Sequence, residues 1–283
     1  MRYITPVDIK YRLNKLDLSL IYALLLMLKY GKKSGVMMRF ILLLALVFAF
    51  AEAIITVKPT VIGKNPGISG ALEGSFQTKR GNTDKDEYSL GLKMQYDNNR
   101  TYTAFANIIG SYGEVSGVRN TNKTYAHMRF IHSLYGNFNY ELYLQSETNE
   151  FTSVDMRRLG GAGIRYHLAE DKYGDLFFGI GLYYEDITYT TLVDPNEHNT
   201  RINSYIAYTL DISDTTKFAY VGYYQPKVDD MGDFITSNAI ELKINIYEKL
   251  NLKLRMFYDY DGHPAVGREK TDFTQITSFS YDF

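Results

Sequence analysis

Residues 250–260 of this 283-residue chain have the sequence LNLKLRMFYDY. Every even position carries an apolar or aromatic side chain, and the odd positions carry Asn251, Lys253, Arg255, Phe257 and Asp259. Successive side chains on a β-strand point to opposite faces, so this alternation indicates a strand with one apolar and one mainly polar face. A tilted strand of about this length is sufficient to cross a bilayer.

The same alternation recurs along most of the chain. Residues 88–96, 138–147 and 240–246 repeat it most clearly. The full pattern predicts twelve strands, at residues 67–79, 86–97, 100–113, 123–135, 137–148, 154–168, 175–190, 200–212, 216–227, 234–246, 250–261 and 271–283. The sequence therefore predicts an all-β protein.

The predicted connections differ in length between the two ends of the strands. Those after strands 2, 4, 8 and 10 are tight, and residues 169–174 form a somewhat longer link. Those after strands 3, 7 and 11 are long and polar, at residues 114–122, 191–199 and 262–270. Short turns on one side and longer loops on the other are typical of outer-membrane barrels. We expect a twelve-stranded antiparallel transmembrane up-and-down β-barrel with both termini in the periplasm.

A soluble β-sandwich or lipocalin-like barrel would show the same alternation with its apolar face turned inward. The mean hydropathy of −0.24 excludes only a multi-helix membrane protein, because a membrane barrel is apolar on one face. The chain has 26 Tyr and no Trp, and Tyr clusters at predicted strand ends, where amphipathic rings suit the headgroup region. These features favour the bacterial outer membrane, with its lipids as partners.

The N-terminal region has the pattern of an export signal. Residues 40–50 are eleven consecutive apolar residues, preceded by Arg39 and followed by Ala51-Glu52-Ala53, a pattern that predicts a cleaved signal peptide. A membrane anchor is the alternative, but eleven residues are too few to span a bilayer as a helix. The expected organisation is an over-extended N-terminus or leader at 1–36, a signal peptide at 37–53, a short segment at 54–66 and the barrel at 67–283.

Removal of residues 1–53 would change the charge of the chain. This segment holds eight of the 31 basic and three of the 32 acidic residues, so 23 basic and 29 acidic residues remain, a net charge of −6. A mildly acidic exported chain is not expected to bind nucleic acid. The absence of Cys excludes disulfides, thiolate metal sites and cysteine nucleophiles.

The last predicted strand ends in aromatic residues. Phe279, Tyr281 and Phe283 share one face with Thr277. This pattern resembles the C-terminal signal that the outer-membrane assembly machinery recognises, so the barrel-assembly machinery is an expected partner.

Two further segments carry a family resemblance. The first hairpin contains Gly81-Asn82-Thr83-Asp84, and residues 155–166 read DMRRLGGAGIRY. Both resemble the YdiY-like family of salt-induced outer-membrane proteins, a domain of unknown function. The resemblance covers nearly the whole chain after the predicted signal peptide. It implies an outer-membrane barrel linked to salt or osmotic response, and no catalytic residues.

The polar faces of the strands carry charged residues that would line the lumen. The candidate set comprises Lys93, Glu141, Arg165, Glu241, Lys243, Lys253 and Arg255, with Glu73, Glu185 and Asp259 as further acidic partners. In a narrow barrel these charges would pair across the interior. In a wider, hydrated lumen they would set ion selectivity. Twelve strands lie between the filled and the open cases, so strand number does not decide.

Other motifs have structural explanations. Residues 81–84 fit a turn better than an anion cradle. Glycines 160, 161, 163, 179 and 181 in strands 6 and 7 would leave a groove for a bulky inward side chain, with Tyr143 and Tyr183 as candidates. Asp229, Asp230 and Asp233 suit a solvated turn better than a Ca²⁺ site. No metal spacing and no cofactor motif is present in the sequence.

An enzymatic role is not expected. His132-Ser133 is the nearest match to a hydrolase dyad, but neighbours on a strand point to opposite faces. The leading hypothesis is a small passive channel or envelope-maintenance barrel. The alternatives are a closed structural barrel and a surface lipid-modifying hydrolase.

Overall fold

The computed structural model describes residues 60–79, 85–150, 154–170, 174–190 and 195–283. The predicted signal peptide and the turn at 81–84 lie outside these residues. Within them, no helix is long and apolar enough to cross a membrane.

Twelve β-strands form the described part of the chain. They are β1 (Gly67–Lys79), β2 (Lys85–Asp97), β3 (Tyr102–Val115), β4 (Val118–Tyr135), β5 (Phe138–Asn149), β6 (Val154–Glu170), β7 (Gly174–Tyr189), β8 (Glu197–Ser213), β9 (Thr216–Pro226), β10 (Phe234–Tyr247), β11 (Leu250–Asp261) and β12 (Thr271–Asp282). Each strand pairs antiparallel with its neighbours in the chain, and β1 pairs with β12 to close the barrel. This confirms the predicted fold class and strand count.

The apolar face of the strands points outward. On β2, Leu90, Leu92 and Met94 are exposed, whereas Gln95 and Asp97 are buried inside the barrel. β5 shows the same arrangement, with Leu142 and Leu144 exposed and the intervening side chains buried. An exposed apolar exterior around a polar interior is the arrangement of a membrane barrel and the reverse of a soluble one. The protein therefore belongs in the bacterial outer membrane.

The connection between β3 and β4 is shorter than predicted. The expected polar loop at 114–122 is instead a continuation of both strands around a two-residue turn, Ser116-Gly117. Both turn residues have positive φ, 51° and 75°, as a type I′ hairpin requires. The Ser-Gly pair between Val115 and Val118 is the turn signal that the polar composition of this segment obscured.

Apart from the two-residue β3–β4 turn, connection length differs between the two ends of the barrel. Residues 136–137, 214–215 and 248–249 form two-residue turns at one end, and residues 262–270 form a nine-residue loop at the other. Short turns are periplasmic in outer-membrane barrels, which places residues 60–66 and the C-terminus at the periplasmic end.

The seam between β1 and β12 is short. The paired residues run from Ala71 opposite Asp282 to Gly74 opposite Phe279, whereas β1 pairs with β2 over its whole length. Reciprocal backbone hydrogen bonds between Gly70 and Phe283, 3.0 and 2.9 Å long, extend the seam towards the periplasm. The first five residues of β12, 271–275, are all exposed. In its extracellular half, β12 therefore pairs with β11 and not with β1.

Candidate functional site in the barrel lumen

The inner surface of the barrel has two regions of different character. We call the inward side chains of β4–β9 the packed wall, because most of them are buried. We call the inward side chains of β10–β12 and β1 the charged wall, because its central groups are partly exposed ion pairs.

A buried ion pair lies at the centre of the packed wall. The Nη1 atom of Arg129 donates to Oε2 of Glu141 at 3.1 Å, and both side chains are less than 10% exposed. The hydroxyl of Tyr205 donates to the other oxygen of Glu141. The Arg129 guanidinium lies 5.3 Å from the ring centroid of Tyr143. Buried charges require such partners, so these residues form a charge-paired structural unit.

Glycines on β6 and β7 create space for two of these rings. A Cβ atom at Gly161 would lie 2.6 Å from the Tyr143 ring, and one at Gly179 would lie 2.1 Å from the Tyr205 ring. The predicted groove therefore exists, and Tyr143 fills part of it as expected. The part at Gly179 is occupied by Tyr205, which was not predicted from the sequence.

A second ion network lies nearer the extracellular end of the packed wall. Glu185 is fully buried and accepts hydrogen bonds from Arg157 Nη2 at 2.5 Å and Arg201 Nε at 2.6 Å. Arg201 also contacts Asp233 Oδ1 at 3.1 Å, and Lys227 lies 2.5 Å from the other oxygen of Asp233. Burial lowers the pKa of Lys227, but its hydrogen bond to Asp233 and the nearby negative charge outweigh this and raise it. This network joins β6–β8 to the loop after β9.

This network corrects the expectation of a solvated turn at Asp233, which is buried and paired with Arg201 and Lys227. Asp230 does behave as a turn residue, because its Oδ1 accepts the Gly232 backbone N–H at 2.9 Å. In the described part of the chain, no group of three or more potential metal ligands is present.

The charged wall contains a more exposed counterpart of these pairs. Glu73 accepts from Lys253 Nζ at 2.8 Å and from Ser278 Oγ at 2.8 Å, and it also pairs with Arg255. The side chains of Lys253, Arg255 and Glu73 are 13–18% exposed, compared with 0–11% for Glu185, Arg201 and Arg157. These charged side chains are therefore partly buried and partly accessible from the lumen.

The remaining predicted lumen residues lie at separate positions. Lys243 pairs with Asp282 nearer the periplasmic end of the charged wall. Lys93 Nζ lies 5.1 Å above the Phe105 ring, and Glu241 stands opposite Arg255 in the β10–β11 register. The seven predicted residues therefore occupy inward positions but do not form one cluster. The arginine partners of the packed wall, Arg129, Arg157 and Arg201, were not predicted.

Residues 60–66 precede β1 at the periplasmic end of the barrel: Thr60 is buried, residues 61–63 are partly buried and residues 64–66 are exposed. Val61 packs against the buried cluster of Phe177, Tyr205, Ala207, Val221 and Tyr223. Ile62 packs against Phe105 and Ile131. The two apolar side chains of this short segment are therefore partly buried against the inner surface of the barrel.

Polar contacts hold the same segment. Arg165 Nη1 donates to the Thr60 carbonyl at 2.8 Å, and the Gly63 N–H donates to Asp97 Oδ2 at 2.7 Å. Arg165, a predicted lumen-lining charge, is covered by this segment and by Phe177, whose ring centroid lies 4.5 Å from the guanidinium.

The outer surface carries the other predicted features. Phe279, Tyr281 and Phe283 are exposed together on the lipid-facing side of the last strand. His132 stacks on Tyr140, with ring centroids 5.2 Å apart, and its Nδ1 lies 2.6 Å from the backbone oxygen of Ser133. That hydrogen bond joins the ring to the backbone and leaves the Ser133 hydroxyl outside it.

Comparison with known proteins identifies the family of this chain. Residues 72–283 match the family described as "Protein of unknown function, DUF481". The chain belongs to this family. No curated protein matches the chain significantly.

Solved structures with a similar fold are outer-membrane proteins. The COG4313 outer membrane channel from Pseudomonas putida F1 has 10% identity and a TM-score of 0.51, covering 82% of this chain and 100% of that one. The NanC porin has 14% identity and a TM-score of 0.43, covering 76% and 98%. The translocator domain of the autotransporter NalP from Neisseria meningitidis has 12% identity and a TM-score of 0.41, covering 78% and 89%. The first of these likenesses supports the fold of this DUF481 protein.

Proposed function

We propose that this DUF481 protein is a narrow passive channel for small hydrophilic solutes. The observation that carries the proposal is the charged wall, where Glu73, Lys253 and Arg255 keep part of their surface exposed to the lumen. Charged side chains that line a pore set its ion selectivity.

Two variants of opposite charge test this role. Replacing Lys253 and Arg255 together by Gln leaves Glu73 unbalanced, and we expect reversal potentials in planar bilayers to shift towards cation preference. Glu73→Gln leaves two cations and should shift them towards anion preference. Lys249→Gln, in an exposed periplasmic turn, is the matched control and should leave selectivity unchanged. Identical selectivity in all four proteins would remove these residues from the conduction path.

A closed structural barrel is the second candidate, and it is favoured by the packed wall and by the contacts of Val61 and Ile62 with the inner surface. It predicts no unitary conductance steps in molar salt for purified protein that shows the heat-modifiable gel mobility of a folded barrel. Reproducible unitary steps would exclude it.

The proposed role is associated with osmotic conditions through the family resemblance of residues 73–84 and 155–166. The expected outcome is a rise in protein abundance after transfer of cells to high salt and slower recovery of a deletion strain. Equal protein abundance with and without high salt, together with equal recovery of the deletion and parent strains, would contradict an osmotic role.

We also propose that the C-terminal strand is the signal for barrel assembly. Phe283→Ala should lower the amount of folded barrel in the membrane, because it removes the terminal aromatic ring of the outward-facing set. Phe273→Ala is the matched control, as Phe273 is exposed on the same strand but far from the terminus. A similar loss in both variants would indicate a general effect of removing a lipid-facing ring.

A further inference from the structure

Resting on the proposed channel function, we propose that residues 60–66 are a movable plug that gates the channel from the periplasmic side. We call this segment the periplasmic plug. It would close the lumen in the resting state and open it by swinging out towards the periplasm.

The plug crosses a large part of the barrel mouth. Val61 reaches a cluster formed by β7–β9, while Ile62 reaches Phe105 on β3 and Ile131 on β4. Two adjacent residues thus contact strands that β5 and β6 separate around the circumference. The segment therefore lies across the inner surface from β3 to β9, at the periplasmic entrance of the barrel.

Among the residues that the structure describes, three polar contacts attach the plug to the barrel. They are the Arg165 hydrogen bond to Thr60, the Gly63 hydrogen bond to Asp97 and a 3.0 Å ion pair between Lys64 and Asp175. The Lys64 side chain is 45% exposed, so this ion pair is weak. Residues 60–66 form no strand pairing, so their departure would leave the hydrogen-bonded wall intact.

The sequence also supplies hinges. Gly63 and Gly67 have φ values of +84° and +89°, in the left-handed region that favours glycine. Gly67 is the first residue of β1, and a Cβ atom there would meet nothing within 4 Å. The backbone therefore has conformational freedom at the point where the plug joins the wall, as hinges require.

Loosening the plug tests the proposal in one direction. The variant Val61→Ser, Ile62→Ser, Lys64→Ser removes both apolar anchors and the ion pair while leaving every strand unchanged. The expected result is an increase of about tenfold or more in time-averaged conductance, since losing the burial of an aliphatic side chain shifts an equilibrium by roughly that factor. The matched control is Val228→Ser, Val266→Ser, Lys249→Ser, which changes exposed loop and turn residues and should conduct like the unmodified protein.

Locking the plug tests it in the other direction. The chain has no Cys, so Ile62→Cys and Ile131→Cys introduce the one pair of thiols that can form a disulfide within the molecule. Oxidation should reduce conductance below that of the unmodified protein, and a reductant should restore it. Ile62→Cys alone should be insensitive to both reagents.

The outcomes separate the plug from the channel. Equal conductance in the unmodified, loosened and locked proteins would overturn the plug while leaving the channel in place. If no protein conducts, including the loosened variant, and heat-modifiable mobility shows that all are folded, the channel function itself fails. Increased conductance on loosening together with redox-controlled closure on locking would establish the gate.

Discussion

The two walls of the lumen use the same chemistry in different surroundings. Arg129 pairs with Glu141 on the packed wall, and Arg255 pairs with Glu73 on the charged wall. The first pair is enclosed by tyrosine rings, whereas the second keeps 17–18% of its side-chain surface exposed. An arginine–glutamate pair is therefore a structural element on one side of this barrel and a candidate selectivity element on the other.

The difference between the walls arises from the neighbouring side chains. On the packed wall, Gly161 and Gly179 allow Tyr143 and Tyr205 to lie flat against the sheet and cover the charges. On the charged wall, the neighbours on β1 and β12 are short, including Ala71, Ser278 and Ser280. Short side chains extend less far into the lumen, so water can reach Glu73 and its partners.

The largest expected effect comes from breaking the network on the packed wall. Glu185→Gln removes the carboxylate that holds Arg157 and Arg201, leaving two buried cations without this counter-charge. We expect a loss of about 3–5 kcal/mol in the free energy of unfolding, measured by denaturant titration followed by tyrosine fluorescence.

The contrasting variant is Glu73→Gln on the charged wall. It should cost about 1 kcal/mol, because water can solvate the remaining charges. If Glu73→Gln proves as destabilising as Glu185→Gln, the distinction between the two walls is wrong.

An intermediate effect is expected from filling the glycine groove. Gly179→Ala places a methyl group against the Tyr205 ring and should destabilise the barrel by about 1–3 kcal/mol through overpacking. Gly110→Ala lies on the outer face with open space around it and should change stability little. Thermal unfolding of both variants provides the measurement, and equal unfolding temperatures would contradict close packing of Tyr205 against Gly179.

The smallest effect is expected outside both walls. Arg119 lies 2.5 Å from Glu150 near the extracellular rim, but these side chains are 49% and 39% exposed. Arg119→Ala should change the free energy of unfolding by no more than about 0.5 kcal/mol, despite a shorter distance than the buried Arg129 pair. A loss comparable to that of Glu185→Gln would show that distance, and not burial, governs these ion pairs.

Most of the strand pattern could be predicted from local sequence. Period-two alternation is visible within each strand, and the predicted starts lie within two residues of the observed ones everywhere except at β4 and β8. The predicted loop at 114–122 was wrong because Thr, Asn and Lys are compatible with a strand as well as with a loop at the exposed rim of the barrel. There the Ser116-Gly117 turn carried the correct signal.

The site was predicted less completely than the fold. Lys253 and Arg255 could be assigned to the inner face from alternation alone, but their shared partner Glu73 lies about 180 residues away. Contacts across the closing seam depend on the stagger of the whole barrel, which no single strand contains. The position of residues 60–66 could not be predicted for the same reason. Val61 and Ile62 belong to no alternating pattern of polar and apolar residues that would indicate where they lie.

The sequence by itself determined that this chain forms twelve strands with an apolar and a polar face, because side-chain direction alternates locally on any strand. Only the tertiary structure decided which charges are buried and which face open space. Closure of the barrel brings together residues that are remote in the chain. The burial of each pair then depends on the size of the neighbouring side chains. An arginine–glutamate pair is therefore buried on the packed wall and partly accessible on the charged wall.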